Sequence, residues 1–194
     1  MSSQSIHPLT PILVFVLITA VFGLFVYKRV LVEDEPGDFH VKTGNYRLED
    51  DRFEEAIAEF ELALGQHPSH RGAHFGLALT YIRMERLDEA LAKLDETLAI
   101  DPEFAVAYAN RGITNDRLGR YEEAVADYRR AVELDPKVAE GPGWLWRFLR
   151  NVSEKPPTIA DRADYIEAEL QKPAAERLLA VPEEDAKQRM YKVK

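Results

Sequence analysis

Three closely spaced histidines are the residues of this chain best suited to metal chemistry. His67, His70 and His74 are three and four residues apart, and imidazoles at such helical spacings can converge on one metal ion. Pro68 interrupts a continuous helix through them, and His74 occupies a bulky position that recurs along the chain. We therefore predict packed or solvated histidines, with no metal site and no cofactor.

Adjacent carboxylates also recur, and carboxylates serve general acid–base catalysis. They are Glu54-Glu55, Asp88-Glu89 and Glu122-Glu123. Each pair falls near the predicted start of a helix, where negative charge is favourable. The sequence has no glycine-rich phosphate loop, no Gly-x-Ser-x-Gly elbow and no zinc-protease motif. We interpret the carboxylates as helix-start signals and predict neither an enzyme nor a small-molecule substrate.

Composition narrows the classes of partner. The 194 residues carry a formal net charge of -9 without a cluster of basic residues, which argues against nucleic acid as a partner. The absence of cysteine excludes disulfides, thiol catalysis and cysteine-based zinc sites. The length of 194 residues, of which 46% are hydrophobic, suffices for one folded domain and an appendage.

A 34-residue repeat organises the middle of the chain, and seven columns keep their character over three copies. Small positions allow two helices to approach closely, bulky positions fill the space between them, and a proline ends each copy. A repeat of this length predicts stacked helix pairs. The columns are His40, His74 and Tyr108; Gly44, Ala78 and Gly112; Phe53, Leu87 and Tyr121; Ala56, Ala90 and Ala124; Phe60, Leu94 and Tyr128; Ala63, Thr97 and Ala131; Pro68, Pro102 and Pro136.

These columns resemble the tetratricopeptide repeat family over roughly half of the chain. The resemblance implies an all-α fold in which residues 38–136 form three helix-turn-helix repeats, at about 38–70, 71–104 and 105–138. It also implies a short right-handed solenoid whose concave groove, lined by the first helix of each repeat, binds a peptide or a helix of another protein.

The predicted groove centres on the first helix of the middle repeat. Phe75, Leu79 and Ile82 share one face there. Either they line the groove, or they pack against another element of the same chain. The flanking repeats contribute the other predicted groove residues, which are Val41, Asn45, Leu48, Val106, Ala109, Asn110, Ile113 and Asp116.

Some members of the family hold the C-terminal carboxylate of a chaperone with Lys, Asn and Arg side chains. The matching positions here are Val41, Asn45, Gly76, Val106 and Asn110. Only the asparagines are retained, so the resemblance implies an apolar or mixed ligand surface in place of a carboxylate clamp.

The N-terminal part predicts attachment to a membrane. After a tail at 1–8, residues 9–27 include no charged side chain, and a helix of this length would be about 28 Å long, close to the hydrocarbon thickness of a bilayer. We assign 9–32 to one transmembrane helix and its flank, in preference to a buried core helix or a cleaved signal peptide. Residues 33–37 then form an acidic linker.

Lys28 and Arg29 directly follow the apolar stretch. The positive-inside tendency therefore predicts a single-pass protein of a bacterial inner membrane with its repeat domain in the cytoplasm. A periplasmic repeat domain is the alternative.

The region after the repeats, 139–155, predicts a capping helix from about residue 143 to 151 and a proline-containing linker. On the far side of that helix, Trp146, Arg147 and Arg150 could form a second interface with a partner or with lipid.

Residues 156–194 predict a C-terminal arm of short helices, opened by a capping-box variant at Thr158. Helices this short need a docking site. The outside of the solenoid, its groove and another subunit are the alternatives.

Together these features predict a membrane-anchored scaffold that binds other proteins, as an assembly factor or accessory subunit of a membrane protein complex. Its partners would be proteins and, through 9–27, the lipid bilayer. One alternative is a chaperone-like adaptor that binds apolar peptides transiently. The other is an envelope protein with periplasmic repeats acting in secretion, cell-wall or outer-membrane assembly.

Overall fold

The computed structural model describes residues 10–31, 35–141, 149 and 156–180. Within these ranges the chain forms eight α-helices, two short 3₁₀ helices (Pro136–Ala139 and Ala174–Glu176) and no strand. Residues up to Glu35 and residues from Pro36 onward form two separate compact units. The helices are α1 (Thr10–Leu31), α2 (Asp38–Glu49), α3 (Phe53–Gln66), α4 (Arg71–Arg83), α5 (Leu87–Ile100), α6 (Ala105–Arg117), α7 (Tyr121–Leu134) and α8 (Ile159–Leu170).

The first unit contains α1, whose side chains are described from Leu13 to Gly23 and are all exposed. They are apolar except for Thr19, whose hydroxyl donates to the carbonyls of Phe15 and Val16 within the helix. Among the residues that the structure describes, no helix is both long enough and apolar enough to span a membrane.

In the second unit, α2 to α7 form three helix pairs, and each second helix contacts the first helix of the next pair. The turn within each pair includes a residue with a left-handed backbone, namely Asp51, Glu85 and Gly119, with φ of 59°, 58° and 73°. The predicted all-helical solenoid of helix-turn-helix repeats is confirmed.

Close contacts between small and bulky columns hold the pairs together. Phe60 is fully buried and lies against two glycines of neighbouring first helices. A Cβ atom would lie 2.7 Å from the Phe60 ring if added at Gly44, and 2.3 Å if added at Gly76. The Tyr128 ring packs against Gly112 in the same way, since a Cβ atom added at Gly112 would lie 2.6 Å from that ring. The bulky side chains of the second helices therefore fill space that only glycine leaves open.

Gly76→Ala is expected to destabilise the repeat domain by about 1–3 kcal/mol, because the added methyl group overpacks the Phe60 ring. Gly65→Ala is the matched control, since a Cβ at Gly65 has no atom within 4 Å. That change removes a flexible residue from α3 and should stabilise by about 0.5–1 kcal/mol. Urea unfolding measures both free energies. Equal effects of the two changes would contradict the packing described here.

Helix α8 packs at the C-terminal end of the repeats. It begins with a capping box in which the Thr158 N–H donates to Asp161 Oδ2 at 2.8 Å and the Asp161 N–H donates to Thr158 Oγ1 at 3.3 Å. Ile159, Ala163 and Ile166 join the core cluster of α6 and α7. This part of the C-terminal arm is therefore docked on the last helix pair.

Several predicted features lie outside the described residues. They are the N-terminal tail, Val32 of the predicted transmembrane flank, Glu33 and Asp34 of the acidic linker, most of the predicted capping helix with its far-side residues Trp146, Arg147 and Arg150, the proline-containing linker up to residue 155, and the end of the arm from residue 181. Leu149 is the described residue of that predicted helix, and its side chain is exposed.

Candidate functional site

The predicted groove residues of the middle repeat are core residues. The side chains of Phe75, Leu79 and Ile82 are only 4%, 5% and 1% exposed. Helix α4 contacts α2, α3, α5 and α6, so a helix that is apolar nearly all round is packed on several sides. The Phe75 ring also meets the edge of Phe104 with ring centroids 5.1 Å apart. The expectation that these three side chains are exposed in a groove is corrected, and the alternative of packing within the chain is the observed one.

The predicted groove residues of the flanking repeats differ in accessibility. Asn45 is exposed and Val106 is half-buried. The others are buried, which corrects their expected exposure: Val41, Leu48, Ala109, Asn110, Ile113 and Asp116. Asn45 and Val106 are thus the accessible members of the predicted set, and partner binding by them stays a prediction.

The positions that match a carboxylate clamp cannot form one in this structure. The Asn110 amide Nδ2 donates to the carbonyl of Val106 at 2.8 Å and is fully buried. Val41, Gly76 and Val106 offer no positive charge to a carboxylate. A ligand carboxylate would therefore lack the charge-assisted hydrogen bonds that make such clamps strong.

Asp116 belongs to a buried polar cluster that sequence reasoning missed. Arg162 donates from Nε to Asp116 Oδ2 and from Nη2 to Oδ1, both at 2.8 Å, while the Tyr128 hydroxyl donates to Oδ2 at 3.2 Å. The Asp116 side chain is 2% exposed and the Arg162 side chain is 10% exposed. Arg162 also donates to the Leu179 carbonyl at 3.1 Å. This bidentate ion pair ties α8 and the segment after it to α6.

The sequence does contain a signal for this pair. Leu48, Ile82 and Asp116 occupy equivalent positions of the three repeats, 34 residues apart. Asp116 therefore places a charge where the first two repeats have an apolar side chain. Arg162 lies next to Ala163 of the apolar stripe of α8. A charge in an apolar column of one element and an opposite charge beside the apolar stripe of another each indicate a charge close to the core that needs a partner there, although the register does not specify which residue that partner is.

A second ionic cluster joins the middle and last repeats. Arg111 donates to Asp127 from Nε at 3.0 Å and from Nη2 at 2.7 Å, and to Asp95 at 2.7 Å. The Asn115 amide also donates to Asp127, at 3.1 Å. Burial lowers the pKa of Arg111, but its hydrogen bonds to Asp127 and Asp95 outweigh this and raise that pKa above its ordinary value. The guanidinium stays charged and links α5, α6 and α7.

The histidines near the first repeat junction contact neighbouring groups of the fold. His74 Nε2 lies 2.8 Å from the Pro68 carbonyl oxygen, and its Nδ1 lies 2.7 Å from Glu96. His70 Nε2 lies 3.2 Å from Asp38 Oδ1. The rings of His67 and His70 pack edge to face, with their centroids 5.8 Å apart. These contacts give the imidazoles packing and hydrogen-bonding roles within the repeat domain.

One face of α2 carries two strongly exposed aromatic side chains. Phe39 is 74% exposed and Tyr46 70%, and Thr43 lies between them on the same face. The equivalent side chains of α4 and α6 lie 34 and 68 residues later, and five of these six are buried: Ala73, Leu77, Thr80, Ala107 and Thr114. The first repeat therefore exposes a face that the inner repeats cover.

Comparison with known proteins matches family models to the repeat region of the chain. Tetratricopeptide repeat models match residues 47–110 and 105–138. No curated protein matches the chain. Among solved structures, the first repeat domain of Spaghetti (RPAP3) bound to the HSP90 peptide SRMEEVD is 24% identical, with a TM-score of 0.51 over 63% of this chain and 94% of that one.

Two further structures share the fold. The repeat domain of Arabidopsis OM64 is 22% identical, with a TM-score of 0.51 over 53% of this chain and 84% of that one. The structure of MamA is 25% identical, with a TM-score of 0.50 over 56% of this chain and 63% of that one. These likenesses concern the helical solenoid.

Proposed function

We propose that this chain, whose residues 47–138 are tetratricopeptide repeats, is a scaffold that binds other proteins while residues 9–27 hold it at a membrane. It would act as an assembly factor or accessory subunit of a membrane protein complex. The observation that carries the proposal is the stacked solenoid of α2 to α7, since two Spaghetti (RPAP3) domains of this fold are bound to an HSP90 peptide.

We assign partner binding to the accessible side of the first helices, at Asn45 on α2 and Val106 on α6. An exposed amide can exchange hydrogen bonds with a peptide backbone, and a half-buried valine supplies apolar contact. The alternative of an adaptor for apolar peptides relied on Phe75, Leu79 and Ile82. Those side chains would have to leave the core to meet a peptide, which makes that alternative less favourable.

The membrane part of the proposal has separate support. Residues 9–27 are uncharged, and the exposed side chains of α1 include Leu13, Phe15, Leu17 and Phe22. Apolar surface of this kind gains roughly 25 cal/mol per Å² when it leaves water. Lys28 and Arg29 favour a cytoplasmic repeat domain at a bacterial inner membrane, with the periplasm as the alternative.

The scaffold proposal is tested by capturing the full chain through a C-terminal tag after gentle solubilisation. Wild type should retain a stoichiometric companion, and Asn45→Arg with Val106→Arg should lose it while the far-ultraviolet circular dichroism stays unchanged. Leu62→Arg on α3, at a side chain 53% exposed, is the control and should keep the companion. A companion that is absent from wild type, or retained by the double variant, would refute the assignment.

The anchor is tested independently of any partner. Full-length protein should stay in the membrane pellet after alkaline carbonate extraction, and a variant that lacks residues 9–27 should appear in the supernatant. Protease added to sealed vesicles of known orientation reports which side carries the repeats. Release of the full-length protein by carbonate would disprove the anchor without affecting the scaffold proposal.

The peptide SRMEEVD is expected to bind this chain more weakly than a dissociation constant of about 1 mM. The reason is that Val41, Gly76 and Val106 provide no charged donor for its C-terminal carboxylate. Isothermal titration calorimetry measures the affinity, with the first repeat domain of Spaghetti (RPAP3) as a positive control. A micromolar dissociation constant would contradict the described geometry of these positions.

A further inference from the structure

The chain reverses direction after α8 and runs back along this helix. Leu178 is hydrogen-bonded to Glu169, near the end of α8, and Leu179 is hydrogen-bonded to Arg162, near its start. The order of these two contacts shows that the chain lies antiparallel to the helix here. Residues 177–180, which make this pass, are here called the returning segment.

Three polar side chains of α8 hold the returning segment by its main chain. The Leu178 N–H donates to Glu169 Oε2 at 2.8 Å, and the Tyr165 hydroxyl donates to the Leu178 carbonyl at 2.7 Å. Arg162 donates from Nη2 to the Leu179 carbonyl at 3.1 Å. Because Arg162, Tyr165 and Glu169 are three and four residues apart, they lie on one side of the helix, here called the α8 flank.

The two charged side chains of the α8 flank are almost buried. The Arg162 side chain is 10% exposed and the Glu169 side chain is 6% exposed. The hydrogen bond from the Leu178 N–H is the main reason why the pKa of Glu169 is lowered, so this carboxylate stays ionised and is a strong acceptor. The α8 flank therefore offers fixed, ionised hydrogen-bonding groups to a peptide main chain.

The returning segment adds little apolar contact of its own. Among the described residues 171–180, Leu179 has the one side chain that is not exposed, and it packs against the core cluster of α6, α7 and α8. The Leu178 side chain is 66% exposed and faces solvent, as alternate side chains of an extended chain do. In binding of this kind, main-chain hydrogen bonds give affinity and one apolar position gives selectivity.

We propose that the α8 flank is a binding site for an extended peptide of another protein, and that the returning segment occupies this site as an internal competitor. The peptide would place an apolar side chain where Leu179 lies and its main-chain N–H and carbonyl where those of Leu178 lie. Residues 171–176 join the competitor to α8, so its effective concentration is on the order of millimolar. The inference goes beyond the scaffold proposal, since it depends neither on the anchor nor on Asn45 and Val106.

The chain's own sequence supplies the probe, which is a fluorescein-labelled peptide of residues 173–180. Fluorescence anisotropy measures its binding to the full-length protein in detergent micelles. Leu179→Asp should displace the returning segment by placing a charge beside the core cluster, and should therefore bind the probe about tenfold or more tightly than wild type does. Leu178→Asp, at an exposed side chain, is the matched control and should bind the probe as wild type does. Equal binding by the two variants, or absence of binding by Leu179→Asp, would overturn the proposal.

Leu179→Ala repeats the test without introducing a charge. It removes the apolar contact only, so it should bind the probe more tightly than wild type and less tightly than Leu179→Asp, with unchanged far-ultraviolet circular dichroism. Native mass spectrometry should show the same oligomeric state for wild type and both variants. If either change instead dissociates a wild-type dimer, the occupant is the returning segment of a second copy, and the proposal is wrong.

Modified probes separate recognition of the main chain from recognition of side chains. With the Leu179→Asp protein, N-methylation of the probe at Leu178 should weaken binding about tenfold or more, because it removes the donor to the Glu169 carboxylate. Leu178→Ser in the probe should leave binding unchanged, whereas Leu179→Ser in the probe should weaken it. A probe that tolerates N-methylation would refute main-chain recognition by the α8 flank.

Changes in the protein assign the probe to the α8 flank. Adding Tyr165→Phe to Leu179→Asp removes one hydroxyl donor and should weaken probe binding about twofold to tenfold. Adding Asn45→Arg with Val106→Arg instead should leave probe binding unchanged, so this result is independent of whether the scaffold assignment holds. Loss of probe binding through Asn45 and Val106, or no effect of Tyr165→Phe, would place the probe elsewhere and contradict the inference.

Discussion

Replacing Phe75 and Leu79 together with aspartate is expected to unfold the repeat domain. Each change removes a buried apolar side chain, whose burial contributes about 1.5–3 kcal/mol. A buried carboxylate without a compensating partner costs several kcal/mol more. The sum approaches or exceeds the roughly 5–15 kcal/mol that holds a typical domain folded. Far-ultraviolet circular dichroism should therefore show loss of most of the helical signal.

The matched control places the same substitution on the surface. Phe39→Asp with Tyr46→Asp also exchanges two large side chains for carboxylates, but both positions are exposed, so the helical signal should remain. A folded Phe75→Asp and Leu79→Asp variant that had merely lost a partner would instead show that these two side chains are accessible. That outcome would restore the groove predicted from the sequence.

Asp116→Ala is expected to cost about 3–5 kcal/mol of unfolding free energy, because it removes the bidentate partner of the buried Arg162 guanidinium. The Tyr128 hydroxyl loses the same acceptor. Equilibrium urea unfolding measures the loss. Since Arg162 connects α8 to α6, limited proteolysis should also cleave the segment from residue 156 onward faster in the variant than in wild type.

An exposed ion pair of the same docked helix provides the comparison. Arg129 donates to Asp164 on α8 at 2.6 Å, and its side chain is 42% exposed, so Arg129→Ala should cost no more than about 1 kcal/mol. Asp116→Ala with Arg162→Leu should recover part of the loss by removing both charges. If Asp116→Ala costs as little as Arg129→Ala, the Asp116–Arg162 pair is not the strong attachment of α8 described here.

The sequence by itself determined the repeats and their close contacts. Proline after each copy, carboxylates at helix starts and the 34-residue columns predicted three helix pairs, and tetratricopeptide repeat models match residues 47–110 and 105–138. The contact between Phe60 and Gly44 follows from the same columns, because they pair a bulky position of the second helix with a small position of the first. These features could be predicted because they depend on residues close together in the chain and on a spacing that repeats.

Only the tertiary structure decided which faces of the repeats are covered. Helix α4 is apolar nearly all round, so its sequence has no periodicity that separates a buried face from an exposed one. Phe75 and Leu79 are buried because of how α4 packs among neighbouring helices, which is a property of the stack and not of the helix. The sequence likewise left three docking sites open for the C-terminal arm. Asp116 and Arg162 are 46 residues apart, and no local pattern fixes their distance, so their pairing was settled only when α8 packed on the last repeat.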